Sequence, residues 1–165
     1  MGQLMSKGQY KIQIVEDDKE VQDVLAQYIR SLGHSVVGLS STGKDALFFA
    51  NEIKPDLVLM DIGLEGEIDG IETAKELKSL HNVPAIFITG SYDDDTIERA
   101  KQAEPVGYLI KPVELQELKI TIEFSLFKHH SQMQRENLIT ELTNSIANVL
   151  KNYANSENLT INPHE

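Results

Sequence analysis

Pro55-Asp56-Leu57-Val58-Leu59-Met60-Asp61 is the stretch on which the fold turns. Four consecutive apolar residues, preceded by a Pro and closed by a carboxylate, read as a short buried strand. The stretch after it, Ile62-Gly63-Leu64-Glu65-Gly66-Glu67, is loop-like. Asp61 therefore stands at the carboxyl edge of a sheet, where open α/β folds bind their ligands. A lone Asp at such a place is also an ordinary turn residue. Its meaning depends on what else the chain brings to that edge.

Working outward, Ile12, Ile14 and Val15 form a first strand that ends at Glu16-Asp17-Asp18. Val21, Val24, Leu25, Tyr28, Ile29 and Leu32 recur with the spacing of one helix face, and Gly33 stops that helix. Ser35 to Leu39 reads as a second strand. Lys44 to Ile53 reads as a helix with Ala46, Leu47, Phe49, Ala50 and Ile53 inward, broken by Lys54-Pro55. After the Asp61 strand, Asp69-Gly70 opens a helix through Leu80 that carries Ile71, Ala74, Leu77 and Leu80 on its inner face. Ala85 to Thr89 is a fourth strand and Asp93 to about Ala103 a fourth helix, its acidic start matched to the helix dipole. Val106 to Ile110 is a fifth strand, closed by Lys111-Pro112, and a long helical stretch begins near Val113.

Strand and helix alternate about five times, which predicts a parallel sheet with helices on both faces. Right-handed crossovers place every strand's C-terminal end on one edge. Glu16, Asp17, Asp18, Asp61, Thr89 and Lys111 are thereby predicted to converge.

Composition narrows the function. The 165 residues suffice for one domain and an appendage, and 41% hydrophobic residues suffice for its core. A net charge of −11 argues against a general binder of nucleic acid or of anionic membranes. The absence of Cys excludes disulfides, thiolate metal sites and a Cys nucleophile. No apolar run approaches the ~20 residues of a membrane helix. The start of the chain is polar, without the apolar core of a signal peptide. A cytoplasmic protein is expected.

Carboxylates from two adjacent strand ends are oxygen ligands for a hard cation such as Mg²⁺. Without a cation they would repel and raise one another's pKa. A carboxylate nucleophile, a divalent cation, a Lys for an anionic oxygen and a hydroxyl together fit transfer of a phosphoryl group onto an aspartate.

Ile14-Val15-Glu16-Asp17-Asp18, Pro55 to Asp61, Ile88-Thr89-Gly90 and Gly107-Tyr108-Leu109-Ile110-Lys111-Pro112 stand in order, each at a strand end. In these four motifs the chain resembles the receiver domain of bacterial two-component response regulators, over about Tyr10 to Phe127. The resemblance implies a flavodoxin-like, doubly wound five-stranded parallel sheet of order 2-1-3-4-5, here with a C-terminal helical extension. It implies Asp61 as the phosphoacceptor and Mg²⁺ as cofactor. Asp17 would ligate the ion directly, Glu16 from close behind or through water, and the Gly63 carbonyl would be the third protein ligand. Thr89 and Lys111 would hold phosphoryl oxygens, Gly90 would leave room beside them, and Tyr108 would occupy the aromatic switch position. The Lys111-Pro112 peptide would be cis. Asp18 is less suited to ligation. The loop after Asp61 departs from the commonest family pattern: it lacks a Pro and is one residue longer, as in receivers beside sensor modules or histidine kinases.

The implied donor is a histidine kinase or phosphotransfer protein, and the chain would be a signalling module that catalyses only its own phosphorylation and dephosphorylation. The expected organisation is a flexible N-terminus at 1–9, a receiver at 10–127, a helical extension or linker at 128–153 and a disordered tail at 154–165. In the extension Ile139, Leu142, Ile146, Val149 and Tyr153 recur at alternating three and four. They fit a homodimer helix, a helix folded back on the receiver, or a linker to a further domain. The face of the fourth helix, fifth strand and fifth helix is a second candidate for homodimerisation. From Val113 on there are four basic and seven acidic residues, which speaks against a DNA-binding output. His34, His81, His129 and His130 lack partners at ligand spacing and are expected in solvent. An aspartyl phosphatase would want a second Asp where Gly63 stands. Two alternatives remain: a receiver-shaped scaffold that is not phosphorylated, and the receiver part of a larger hybrid sensor protein.

Overall fold

The structure, a computed structural model, describes residues 8–90 and 93–158. Five strands and five helices alternate along the chain: β1 (Lys11–Val15), α1 (Lys19–Ser31), β2 (Ser35–Ser40), α2 (Gly43–Ile53), β3 (Leu57–Asp61), α3 (Gly70–His81), β4 (Ala85–Thr89), α4 (Asp94–Gln102), β5 (Gly107–Ile110) and α5 (Leu115–Asn158). The strands form one sheet in the order β2-β1-β3-β4-β5, and every neighbouring pair is parallel. This is the flavodoxin-like architecture with a C-terminal helix that the sequence predicts.

β3 lies in the middle, and all five of its residues are buried. Its side chains alternate between two cores, as a strand's period of two requires. Val58 and Met60 pack with Ala46 and Ala50 of α2, Ile71, Ala74 and Leu77 of α3, and Ala100 of α4. Leu57 and Leu59 pack with Leu25, Ala26 and Ile29 of α1 and with Leu118, Ile122 and Leu126 of α5. A continuous apolar run is thus what a strand covered by helices on both faces needs.

Three inward assignments fail. Leu80 is 67% exposed and Phe49 38% exposed. Along α3 the buried residues step by three, and each such step falls short of a full turn. After three steps Leu80 has rotated about 180° from Ile71. In α2 the small residues Ala46 and Ala50 sit fully buried over the sheet, which leaves Phe49 at the edge of that face. Val24 is likewise 43% exposed. His34 is half-buried: its Nδ1 accepts the Tyr10 N–H at 3.4 Å, and the two rings lie 5.4 Å apart.

The chain divides into two compact units, one through Phe127 and one from Lys128. The described residues of the second form the later part of α5, and no residue from 128 to 155 is buried. Order was expected to end at Tyr153, but the helix continues through Asn158. Residues 154–158 contain no Gly or Pro to stop it. Residues 159–165 of the expected tail, and 1–7 of the expected flexible start, lie outside the described residues.

Candidate functional site

Parallel register sets the site. Val15 pairs with Met60, Asp61 with Ile88 and Thr89 with Ile110, so the ends of β1, β3, β4 and β5 reach the same edge. The ladder runs one residue further on both sides. Ile62 N–H donates to Ile88 O at 3.1 Å and Lys111 N–H to Thr89 O at 2.8 Å. These bonds fix the backbones that carry Asp61, Thr89 and Lys111.

Glu16, Asp17 and Asp61 come together there, with one oxygen of each within 4.8 Å of the others. Glu16 is 1% exposed and Asp61 6%, while Asp17 is open to solvent. The Lys111 ammonium stands 2.7 Å from Glu16 Oε2 and 3.3 Å from Asp61 Oδ2. Burial pushes the Glu16 carboxyl above its ordinary value; the Lys111 ammonium opposes this, and the Asp61 carboxylate adds to it. Burial would lower Lys111, but the Glu16 and Asp61 carboxylates outweigh it and hold the ammonium above its ordinary value. Lys111 is therefore a cation at any physiological pH.

The donor set fits a hard divalent cation. Three carboxylates face one ammonium, which leaves negative charge to be neutralised. Glu16 Oε2 is buried and makes no well-formed hydrogen bond, despite its ion pair with Lys111. The single Lys111 ammonium balances one carboxylate charge of the cluster, and a divalent cation would balance the others. Asp18 is occupied otherwise: it caps α1, accepting the N–H groups of Glu20 at 2.9 Å and Val21 at 3.2 Å. Its own N–H donates to Glu16 Oε1 at 3.1 Å and orients that carboxylate.

Gly63 lies beside Asp61, its N–H donating to Asp61 Oδ1 at 3.1 Å. The loop that follows is anchored by the buried side chains of Ile62 and Leu64 and by an ion pair of Glu67 with Lys44 at 2.6 Å. Thr89 is 3% exposed. Tyr108 packs against the core shared with α2 and α3, and its hydroxyl is buried toward Thr89. Burial raises the phenol's pKa; the Thr89 hydroxyl works against this and the Asp93 carboxylate with it. The Lys111-Pro112 peptide is cis.

Three contributors escape sequence reading. Gln22, at an inward position of α1, donates from Nε2 to Glu16 O and Ser40 O, both at 3.1 Å, and so ties down the acidic turn. Its only signal is an amide among apolar neighbours. Gly70 opens α3 as expected, and a Cβ there would lie 1.9 Å from the Asp61 carbonyl oxygen. The start of α3 thus lies directly against the strand end. Asp69 caps α3 through the Glu72 N–H at 2.9 Å and pairs with Arg99 of α4, joining the Asp61 loop to another helix.

The family profile described as the response regulator receiver domain matches residues 12–123. The transcriptional regulatory protein PdtaR of Mycobacterium tuberculosis is 34% identical over 116 residues, covering 70% of this chain and 56% of that protein. The transcriptional regulatory protein ZraR of Salmonella typhimurium is 36% identical over 123 residues, covering 74% of this chain and 27% of that protein. The chain therefore spans about half, or less, of these regulators. Among solved structures, the signal receiver domain of a modulated diguanylate cyclase from Desulfovibrio desulfuricans G20 superposes with a TM-score of 0.73 at 39% identity, covering 76% of this chain and 99% of that one. With the sheet order and the edge already in place, the chain belongs to the response regulator receiver domain family.

Proposed function

We propose that the chain receives a phosphoryl group on Asp61 from a phosphohistidine of a histidine kinase or phosphotransfer protein. Family membership supports this reading, and one observation carries it: Lys111 Nζ lies 3.3 Å from Asp61 Oδ2 at a three-carboxylate edge. An Asp61 oxygen attacks phosphorus, the P–O bond forms, and the P–N bond breaks with its electron pair returning to the donor's imidazole. Lys111 pairs with a phosphoryl oxygen, and the Thr89 hydroxyl donates to another. Asp17, Glu16, Asp61 and the Gly63 carbonyl hold Mg²⁺, which supplies charge neutralisation to the transferred group. Positioning and electrostatics constitute the protein's contribution. A Thr89 drawn toward the phosphoryl group vacates space beside Tyr108, which carries the event to the α4-β5-α5 face.

The output is a change in protein contacts in the cytoplasm, where two-component signalling to such a chain takes place. Among the described residues no helix is long and apolar enough to cross a membrane. The chain acts as a signalling module whose chemistry is confined to its own phosphoryl group. The partial coverage of the regulators favours a second possibility, that the receiver works within a larger protein. The net charge of −11 disfavours direct nucleic-acid binding by this chain.

The test is intact-mass measurement after incubation with acetyl phosphate and Mg²⁺. Wild type should gain one phosphoryl group and Asp61→Asn none. A phosphoryl signal that survives in Asp61→Asn would overturn the assignment. Failure of Mg²⁺ and beryllofluoride to bind the wild type would favour the scaffold reading.

A further inference from the structure

We propose that residues 138–153 pair with the same segment of a second copy of this chain as a parallel two-stranded coiled coil. Among the described residues the unit from Lys128 is one helix, with no buried residue through 155. Leu138, Ile139, Leu142, Ile146, Val149, Leu150 and Tyr153 are each more than half exposed. They do not scatter around the helix. Ile139, Leu142, Ile146, Val149 and Tyr153 alternate at steps of three and four, the 3.5-residue period of a coiled-coil seam. Leu138 and Leu150 flank that seam and widen it.

Charge along the seam does not oppose a like partner. The chain as a whole carries −11, so two copies repel over most of their surface. Residues 138–153 hold one acid, Glu141, and one base, Lys151, and neither lies on the seam. The flanking positions that would set charges against each other in a dimer hold Leu138, Thr143, Ser145, Leu150 and Asn152, all uncharged. Two copies therefore meet here without a charge penalty. A basic or acidic partner helix would find no complement.

Side-chain shape selects the geometry. With Ile139 at an a position, Ile146 and Tyr153 are also a, and Leu142 and Val149 are d. β-Branched residues at a with Leu at d favour two parallel strands; Ile139, Leu142 and Ile146 follow that pattern, and Val149 at d and Tyr153 at a depart from it. The seam covers about two heptads, so association is reversible and depends on concentration. The inference does not rest on the chemistry at Asp61, and Asp61→Asn should dimerise as wild type does.

The experiment is sedimentation equilibrium of the full chain from micromolar to a few hundred micromolar, for wild type and for Ile146→Glu. Wild type should pass from monomer to dimer, and the variant should weaken association at least tenfold while keeping the receiver's far-ultraviolet dichroism. A chain that stays monomeric throughout, or a dimer that ignores Ile146→Glu, overturns the proposal. So does a trimer. Because the chain has no Cys, orientation can be read directly. Ile139→Cys should form a homodisulfide on mild oxidation. Preferential cross-linking between Ile139→Cys and Tyr153→Cys chains would mean antiparallel pairing and would overturn it.

Discussion

Lys111 lies closer to Glu16 than to Asp61, 2.7 Å against 3.3 Å, although the two carboxylates share its charge. The buried Glu16 is the more dependent of the two, being nearly inaccessible to water. Removing the ammonium leaves Glu16 and Asp61 facing each other without a counter-charge. Lys111→Met should therefore destabilise the metal-free protein by about 3 kcal/mol, the low end for a broken buried pair because Lys111 keeps some solvent contact. Added Mg²⁺ should stabilise the variant more than wild type, since it replaces the lost cation. Thermal melts with and without Mg²⁺ read both effects. A variant that melts like wild type in the absence of Mg²⁺ would show that the pair is energetically idle.

Gly70 makes the second test. Its missing side chain lets the first turn of α3 press against the Asp61 carbonyl oxygen. Gly70→Ala would place a carbon 1.9 Å from that oxygen, and backbone cannot yield as a flexible side chain can. The expected cost is at least the ~1–3 kcal/mol of an overpacked core. Urea denaturation measures it, and weakened Mg²⁺ binding should accompany it because the strand end must move. An unperturbed midpoint would mean that α3 shifts freely.

Much of this organisation is legible in the chain itself. Leu57 to Met60 can be apolar throughout only because the strand is covered on both faces, and the run's end at Asp61 marks the edge where the three carboxylates gather. Glu16, Thr89 and Lys111 are legible for the same reason, each at the end of a recognisable strand. Gly70, Gln22 and the Asp69–Arg99 pair are not. Their roles arise from approaches between segments far apart in sequence, which no local pattern encodes. Leu80 misleads because three-residue spacing alone drifts around a helix. The helix beyond Tyr153 is hidden because polar residues such as Asn155 and Ser156 read equally as tail and as solvated helix.

Gln22 carries the third prediction. Its amide donates to two carbonyls, Glu16 O and Ser40 O, while 3% exposed. Gln22→Met preserves the volume and removes both donors. Glu16 O then loses its partner, at ~1–3 kcal/mol where no water replaces it, while Ser40 O still accepts the Glu16 N–H at 3.0 Å. The acidic turn also loses a tether, so Mg²⁺ affinity should fall along with stability. Isothermal titration with Mg²⁺ and a urea midpoint separate these effects. Full Mg²⁺ affinity in a destabilised variant would confine Gln22 to packing.

Asp69 supplies a pH dependence whose sign is fixed. Burial alone would raise its carboxyl, but the Glu72 N–H and the Arg99 guanidinium outweigh burial and hold it below the ordinary value. A carboxyl lowered in the folded state binds its proton first in the unfolded chain. Its stabilisation is thus complete above the unfolded pKa of ~3.9 and is lost as pH falls through the folded value. Asn also caps helices well but carries no charge for Arg99. Asp69→Asn should therefore cost little as a cap, lose the ion pair at neutral pH, and give a shallower decline in urea midpoint below about pH 4. The salt dependence of the wild-type midpoint should shrink in the variant, because the Asp69–Arg99 pair is partly exposed and screened. If both proteins lose stability in parallel from pH 6 to pH 3, the carboxylate does not join the Asp61 loop to α4 in solution.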